Sequence, residues 1–98
     1  MGTEVYRYSF IEGVSMTDVR ESVLLAAFAA EGVHGRTQVL LDAGYHVDEK
    51  NRACVVDATA PVGKTICQIF TSLLAREFGE GAFRVERFSA AVAPTKKR

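Results

Sequence analysis

Three side chains that ordinarily carry acid/base or metal chemistry fall close together near the middle of the sequence: Asp42, His46 and Asp57. Two carboxylates and an imidazole are a donor set for a divalent metal, and equally the makings of a group that exchanges a proton with a substrate. Where the chain places them decides which. "TQVLLDAGYHV" (37–47) and "RACVVDA" (52–58) are apolar runs on either side of Asp48-Glu49-Lys50-Asn51, and four polar residues between two such runs predict a hairpin. Pairing Val47 with Arg52 sets Asp42 opposite Asp57, with both carboxylates and His46 on the face away from Tyr45, Cys54 and Val56. Opposed carboxylates repel unless a cation, a shared proton or an Arg compensates. Arg7, on the neighbouring first strand, can supply that compensation to Asp57. The set Arg7, Asp42, His46 and Asp57 is therefore read as a structural charge network on the open face of the sheet, with a small metal-binding protein or enzyme using that face as the alternative.

A second stretch, "ATAPVGKT" (58–65), fits the loose form of the Walker A phosphate-loop pattern. Such a loop needs glycines so that the backbone can curl around the anion, a Lys to reach the outer phosphates and a Ser or Thr to hold magnesium, all at a helix N-terminus. Gly63, Lys64 and Thr65 supply the second half. Ala58 stands where the first Gly belongs, Pro61 removes one N–H from the cradle, and the helical pattern starts near Pro61 or Val62, which puts Lys64 inside the first turns. Proteins resembling this motif use a larger parallel sheet with a later strand ending in Asp. Here only "FRVERF" (83–88) follows, without an Asp. The segment is read as a helix start whose Gly permits close packing, and no nucleotide or other cofactor is expected.

The elements that must position these residues follow from periodicity. "EVYRYSFI" (4–11) alternates and is rich in aromatic and β-branched residues, so it reads as a strand. Ser15 or Thr17 can cap a helix running to about Glu31, before Gly32 and Gly35. After the hairpin, Val62, Ile66, Ile69, Phe70, Leu73, Leu74 and Phe78 recur at helical spacing and make one apolar stripe, ended by Gly79 and Gly81. "FRVERF" is the last strand. The order β-α-β-β-α-β predicts a ferredoxin-like plait, a four-stranded antiparallel sheet in the order 4-1-3-2 with two helices on one face. One such α+β domain is expected over residues 1–92, with a flexible basic tail at 93–98.

Two groups of proteins that share this plait bound the functional reading. With the first strand turned over, Tyr6, Tyr8 and Phe10 would form an open platform that resembles the base-stacking face of RNA-recognition domains. "RACVVDA" carries no aromatic, however, and 12 basic residues balance 12 acidic ones, so nucleic acid is not the expected partner. Acylphosphatases are similar in size and plait but need an Arg in the loop after the first strand, where this chain has Gly13-Val14-Ser15-Met16.

The sequence start lacks a basic region followed by an apolar stretch, and the longest apolar run, "VLLAAFAA" (23–30), is far short of the roughly 20 residues of a membrane span. Cys54 and Cys67 lack metal or redox spacing and read as small core residues in a reducing cytoplasm.

The first helix holds the feature that points furthest. Met16, Val19, Val23, Ala26, Ala27 and Ala30 form a stripe that can pack on the sheet. Leu24, Leu25 and Phe28 lie off it, on a flank near Glu21 where an isolated plait would meet water. Contiguous exposed apolar side chains mark a contact surface. The expectation is a non-catalytic cytoplasmic domain that works as a homo-oligomer or as an assembly subunit, with itself or another protein as partner and Leu24, Leu25 and Phe28 at the interface.

Overall fold

The computed structural model describes residues 2–91, so the expected basic tail at 93–98 lies outside the described residues. The chain is α+β, with strands β1 (Gly2–Phe10), β2 (Tyr45–Asp48), β3 (Ala53–Asp57) and β4 (Phe83–Ala91) and helices α1 (Met16–His34), α2 (Arg36–Asp42) and α3 (Pro61–Phe78). A short 3-10 turn, Glu80–Ala82, leads into β4. The four strands form one open antiparallel sheet in the order β2-β3-β1-β4.

Alternation along β1 sorts its side chains between the two faces of the sheet. Tyr8 and Phe10 are buried with Cys54 and Val56 of β3, against Val19, Val23, Ala26 and Ala30 of α1 and Val62, Ile66, Phe70 and Leu74 of α3. Tyr8 meets Phe70 edge-on, with ring centroids 4.7 Å apart. Its hydroxyl, fully inside the core, shares a 2.8 Å hydrogen bond with Thr71 Oγ1, which answers the requirement that a buried phenol be satisfied.

The Ser15 hydroxyl caps α1 by accepting from the Asp18 N–H. The helix does not stop near Glu31 but continues through the exposed Gly32 to His34. It ends at Gly35, whose φ of 86° is open to glycine at no steric cost and whose N–H closes onto the Glu31 carbonyl.

The same Gly35 starts α2, and this is the main correction to the sequence reading. Residues 36–42 are helical, so the strand expected over 37–47 is reduced to Tyr45–Asp48. "RTQVLLD" combines good helix formers with an apolar run too short for periodicity to separate helix from strand. The helix prevails because Val39 and Ala43, one turn apart, both reach the core.

The hairpin register is corrected as well. Val47 faces Cys54 and Tyr45 faces Val56, two residues away from the expected pairing, and the tight turn falls on Glu49–Arg52. A two-residue slip leaves every side chain on its expected face, because strand faces repeat with period two. Arg52 accepts a positive φ of 52°, and its guanidinium donates to the carbonyls of Ile11 and Val14. The turn is thereby tied to the loop that leads into α1.

Candidate functional site

The flank of α1 expected to be apolar and open is so. Leu24, Leu25 and Phe28 are 59%, 53% and 68% exposed, while Met16, Val19, Val23, Ala26, Ala27 and Ala30 are buried. The three do not stand alone. Because α2 folds back beside α1, Leu40 (70% exposed) and Tyr45 at the start of β2 come to the same place. Together they line a groove of about 630 Å³, with Ala27, Val39, Ala43, Glu21 and Glu31 among its other lining residues. Large apolar side chains gathered around one concavity have the character of a contact surface. Leu40 was missed by the sequence reading because Val39-Leu40-Leu41 was assigned to a strand. Its signal was the lack of alternation in that run.

The expected polar set is not assembled. Asp42 is the last residue of α2, where its carboxylate accepts from Gln38 Nε2 at 2.6 Å, so it cannot face Asp57 across a hairpin. His46 is exposed on β2, opposite Val55. Asp57 accepts from the Thr59 N–H at 2.9 Å, and hydrogen bonds from Thr59 hold its carboxyl below the usual range. Arg7 does not compensate Asp57. Its guanidinium donates to Ser9 Oγ at 2.9 Å and lies 4.0 Å from Glu86 of β4, since Arg7 is directly opposite Glu86 in the sheet. The physical reason is register: Asp57 lies opposite Val5 on β1 and Arg7 opposite Val55, and with residues 36–42 helical Asp42 no longer stands beside Asp57. Among the described residues no group of three or more His, Cys, Asp and Glu side chains is placed to hold a metal ion.

The Gly63-Lys64-Thr65 segment lies within the first two turns of α3. Lys64 turns back on the sheet, its ammonium donating to the Ala58 carbonyl at 2.7 Å and to Glu4 Oε1 at 2.9 Å, while Arg87 approaches the other Glu4 oxygen at 3.2 Å. The Lys64 hydrogen bond and the two cations lower the Glu4 pKa. Thr65 Oγ1 is shared with His34 Nε2 at 2.8 Å, which links α3 to α1. Gly63 is buried so close to β3 that a Cβ there would lie 1.9 Å from the Asp57 carbonyl oxygen. Its role in this fold is close approach of helix to strand.

Cys54 and Cys67 are free and buried. Burial pushes the Cys54 thiol up to about 12 and raises that of Cys67, so neither is a thiolate at neutral pH. Among the described residues no helix is long and apolar enough to cross a membrane.

Comparison with protein families, with curated proteins and with solved structures finds no match to this chain.

Proposed function

We propose that this chain is a non-catalytic interaction domain that associates with a second copy of itself through the groove between α1, α2 and β2. The observation that carries the reading is the clustering of Leu24, Leu25, Phe28 and Leu40 at more than half exposure around one concavity. A chain of 98 residues can bury only part of its apolar surface, so scattered exposure is ordinary. Four large side chains on one groove are not scattered, and their burial against another copy would remove an apolar surface that otherwise favours aggregation. The scaffold fits the ferredoxin-like plait, with α2 as an insertion between α1 and β2 that completes the groove. Free, buried Cys54 and Cys67 support a reducing cytoplasmic setting.

Sedimentation equilibrium over a hundredfold concentration range tests this. The wild type is expected to show concentration-dependent mass. Phe28→Asp, which sets a charge at the centre of the contact, is expected to shift the mass downward with the circular dichroism spectrum unchanged. A wild type that stays monomeric throughout would overturn self-association. A Phe28→Asp chain that unfolds would show that Phe28 supports the fold of its own chain, against a contact role.

A further inference from the structure

The sheet has two edges, and they are built differently. β2 is four residues long and has α2 and the groove beside it. β4 is nine residues long, and no described strand pairs with its outer side. On the helix side of that edge α3 leaves a second groove, of about 750 Å³, lined by Tyr6, Tyr8, Cys67, Ala75 and Val85 together with Thr71, Gln68, Ser72 and the Lys64–Glu4 ion pair. Val85 is exposed although Tyr8, directly opposite it on β1, is fully buried. A long open edge beside an uncovered groove is a template for another strand.

We propose that β4 pairs antiparallel with β4 of a second copy about a two-fold axis at Val85, joining two sheets into one of eight strands. The occupant follows from the charges. In a symmetric antiparallel pair one residue must face its own copy, and residues equally spaced on either side of it face each other. Charges on an edge strand ordinarily block pairing. Placing Arg84, Glu86 or Arg87 on the axis sets like charges directly opposite, which is destabilising. Placing Phe83, Phe88 or Ser89 there brings no two opposite charges of β4 face to face. Placing Val85 there sets Arg84 opposite Glu86 of the second copy and Glu86 opposite its Arg84, so the same charges become complementary twice.

The faces agree with that register. Val85 lies on the helix side, across from Tyr8, so the axis brings the two Val85 side chains and the two grooves they border together. Arg84 and Glu86 lie on the open side, across from Ser9 and Arg7, where Glu86 already sits 4.0 Å from Arg7 of its own chain. A ladder Arg7-Glu86-Arg84 would then cross the junction. This edge is remote from the groove of α1, α2 and β2, which adjoins the opposite edge of the sheet, and the inference does not rest on that groove.

Cross-linking and charge exchange test the register, with circular dichroism confirming that each variant folds. Val85→Cys should give a covalent dimer with a short bis-maleimide and Phe88→Cys should give little, since directly opposed Cβ atoms lie about 4.5–5.5 Å apart. The buried Cys54 and Cys67 of the wild type provide the background. Arg84→Glu and Glu86→Arg should each raise the dissociation constant of the cross-linkable dimer roughly tenfold, because each replaces two attractive pairs by two repulsive ones. The double exchange Arg84→Glu/Glu86→Arg should restore it. These measurements are repeated with Phe28→Asp, in which the β4 contact should persist. Cross-linking through Phe28-dependent association alone, a dimer linked at Phe88→Cys but not at Val85→Cys, or a double exchange no better than its single members would overturn the proposal.

Discussion

Replacing Gly63 by Ala should destabilise this protein, whereas the same replacement at Gly32 should stabilise it. Both glycines lie inside helices with ordinary backbone angles, so Ala brings each the same gain in helix propensity, about 1 kcal/mol. The surroundings set the difference. A Cβ on Gly32 meets nothing within 4 Å, whereas one on Gly63 falls 1.9 Å from the Asp57 carbonyl oxygen and 2.9 Å from the Ala58 Cα. Those are backbone atoms of the strand end, which cannot swing aside as a side chain can. The N-terminus of α3 would have to retreat by about 1 Å, disturbing the contacts of the neighbouring Val62 and Ile66 in a close-packed core. Overpacking of this kind costs about 3 kcal/mol, at the upper end of its usual range, which leaves a net loss of about 2 kcal/mol. For a domain of this size that is a fall in Tm of roughly 10 °C, against a rise of about 5 °C for Gly32→Ala. Urea unfolding followed by circular dichroism measures both. If Gly63→Ala unfolds within 0.5 kcal/mol of the wild type, on the order of the scatter for a neutral surface change, the close-packing account of this glycine is refuted.

Lys64→Ala should lower the Tm only slightly, because the ammonium and its Glu4 partner are partly exposed and water can replace it there, and neither magnesium-ATP nor magnesium-GTP should raise the Tm of the wild type; a magnesium-dependent rise abolished by Lys64→Ala would restore the phosphate-loop reading. Tyr8→Phe should cost about 1 kcal/mol in the same urea assay through loss of the bond to Thr71 Oγ1, and an unchanged midpoint would show that bond to be unimportant. Burial raises the pKa of Tyr8, Cys54 and Cys67, so their contribution is fully present below the unfolded-state values and is lost as pH climbs through the folded ones. Stability should therefore decline from about pH 9 upward, and Cys54→Ala should flatten the decline. On the acid side Glu4, Asp48 and Asp57 are lowered, so the stability they contribute should be lost as pH falls below about 4; an acid limb unaffected by Asp57→Asn would contradict the Thr59 assignment.

Where one period ran through an element, the sequence sorted its side chains into two faces, and for β1 the tertiary structure decided which of the two the helices cover. Strict alternation in "EVYRYSFI" sorted Tyr8 and Phe10 from Arg7 and Ser9, and the helical spacing from Val62 to Phe78 marked the buried face of α3. On α1 the same local geometry separated the packed alanines from Leu24, Leu25 and Phe28, since the wheel angle of a side chain depends only on its place in its own helix. Gly63 was legible as a packing residue because the helix pattern began before it.

What the sequence could not determine was anything that depends on two distant segments competing for the same position. "RTQVLLD" has no period of its own, and it became helical only because Val39 and Ala43 found the core as one turn of α2. That choice removed Asp42 from the sheet; the hairpin register, two residues from the expected one, and the placing of Arg7 against Ser9 and Glu86 were likewise decided by how the strands paired. It also made the groove, by carrying Leu40 and Tyr45 to the flank of α1. Periodicity reports which side of an element is apolar. Which other element meets that side is a long-range energy, settled only when the whole chain packs.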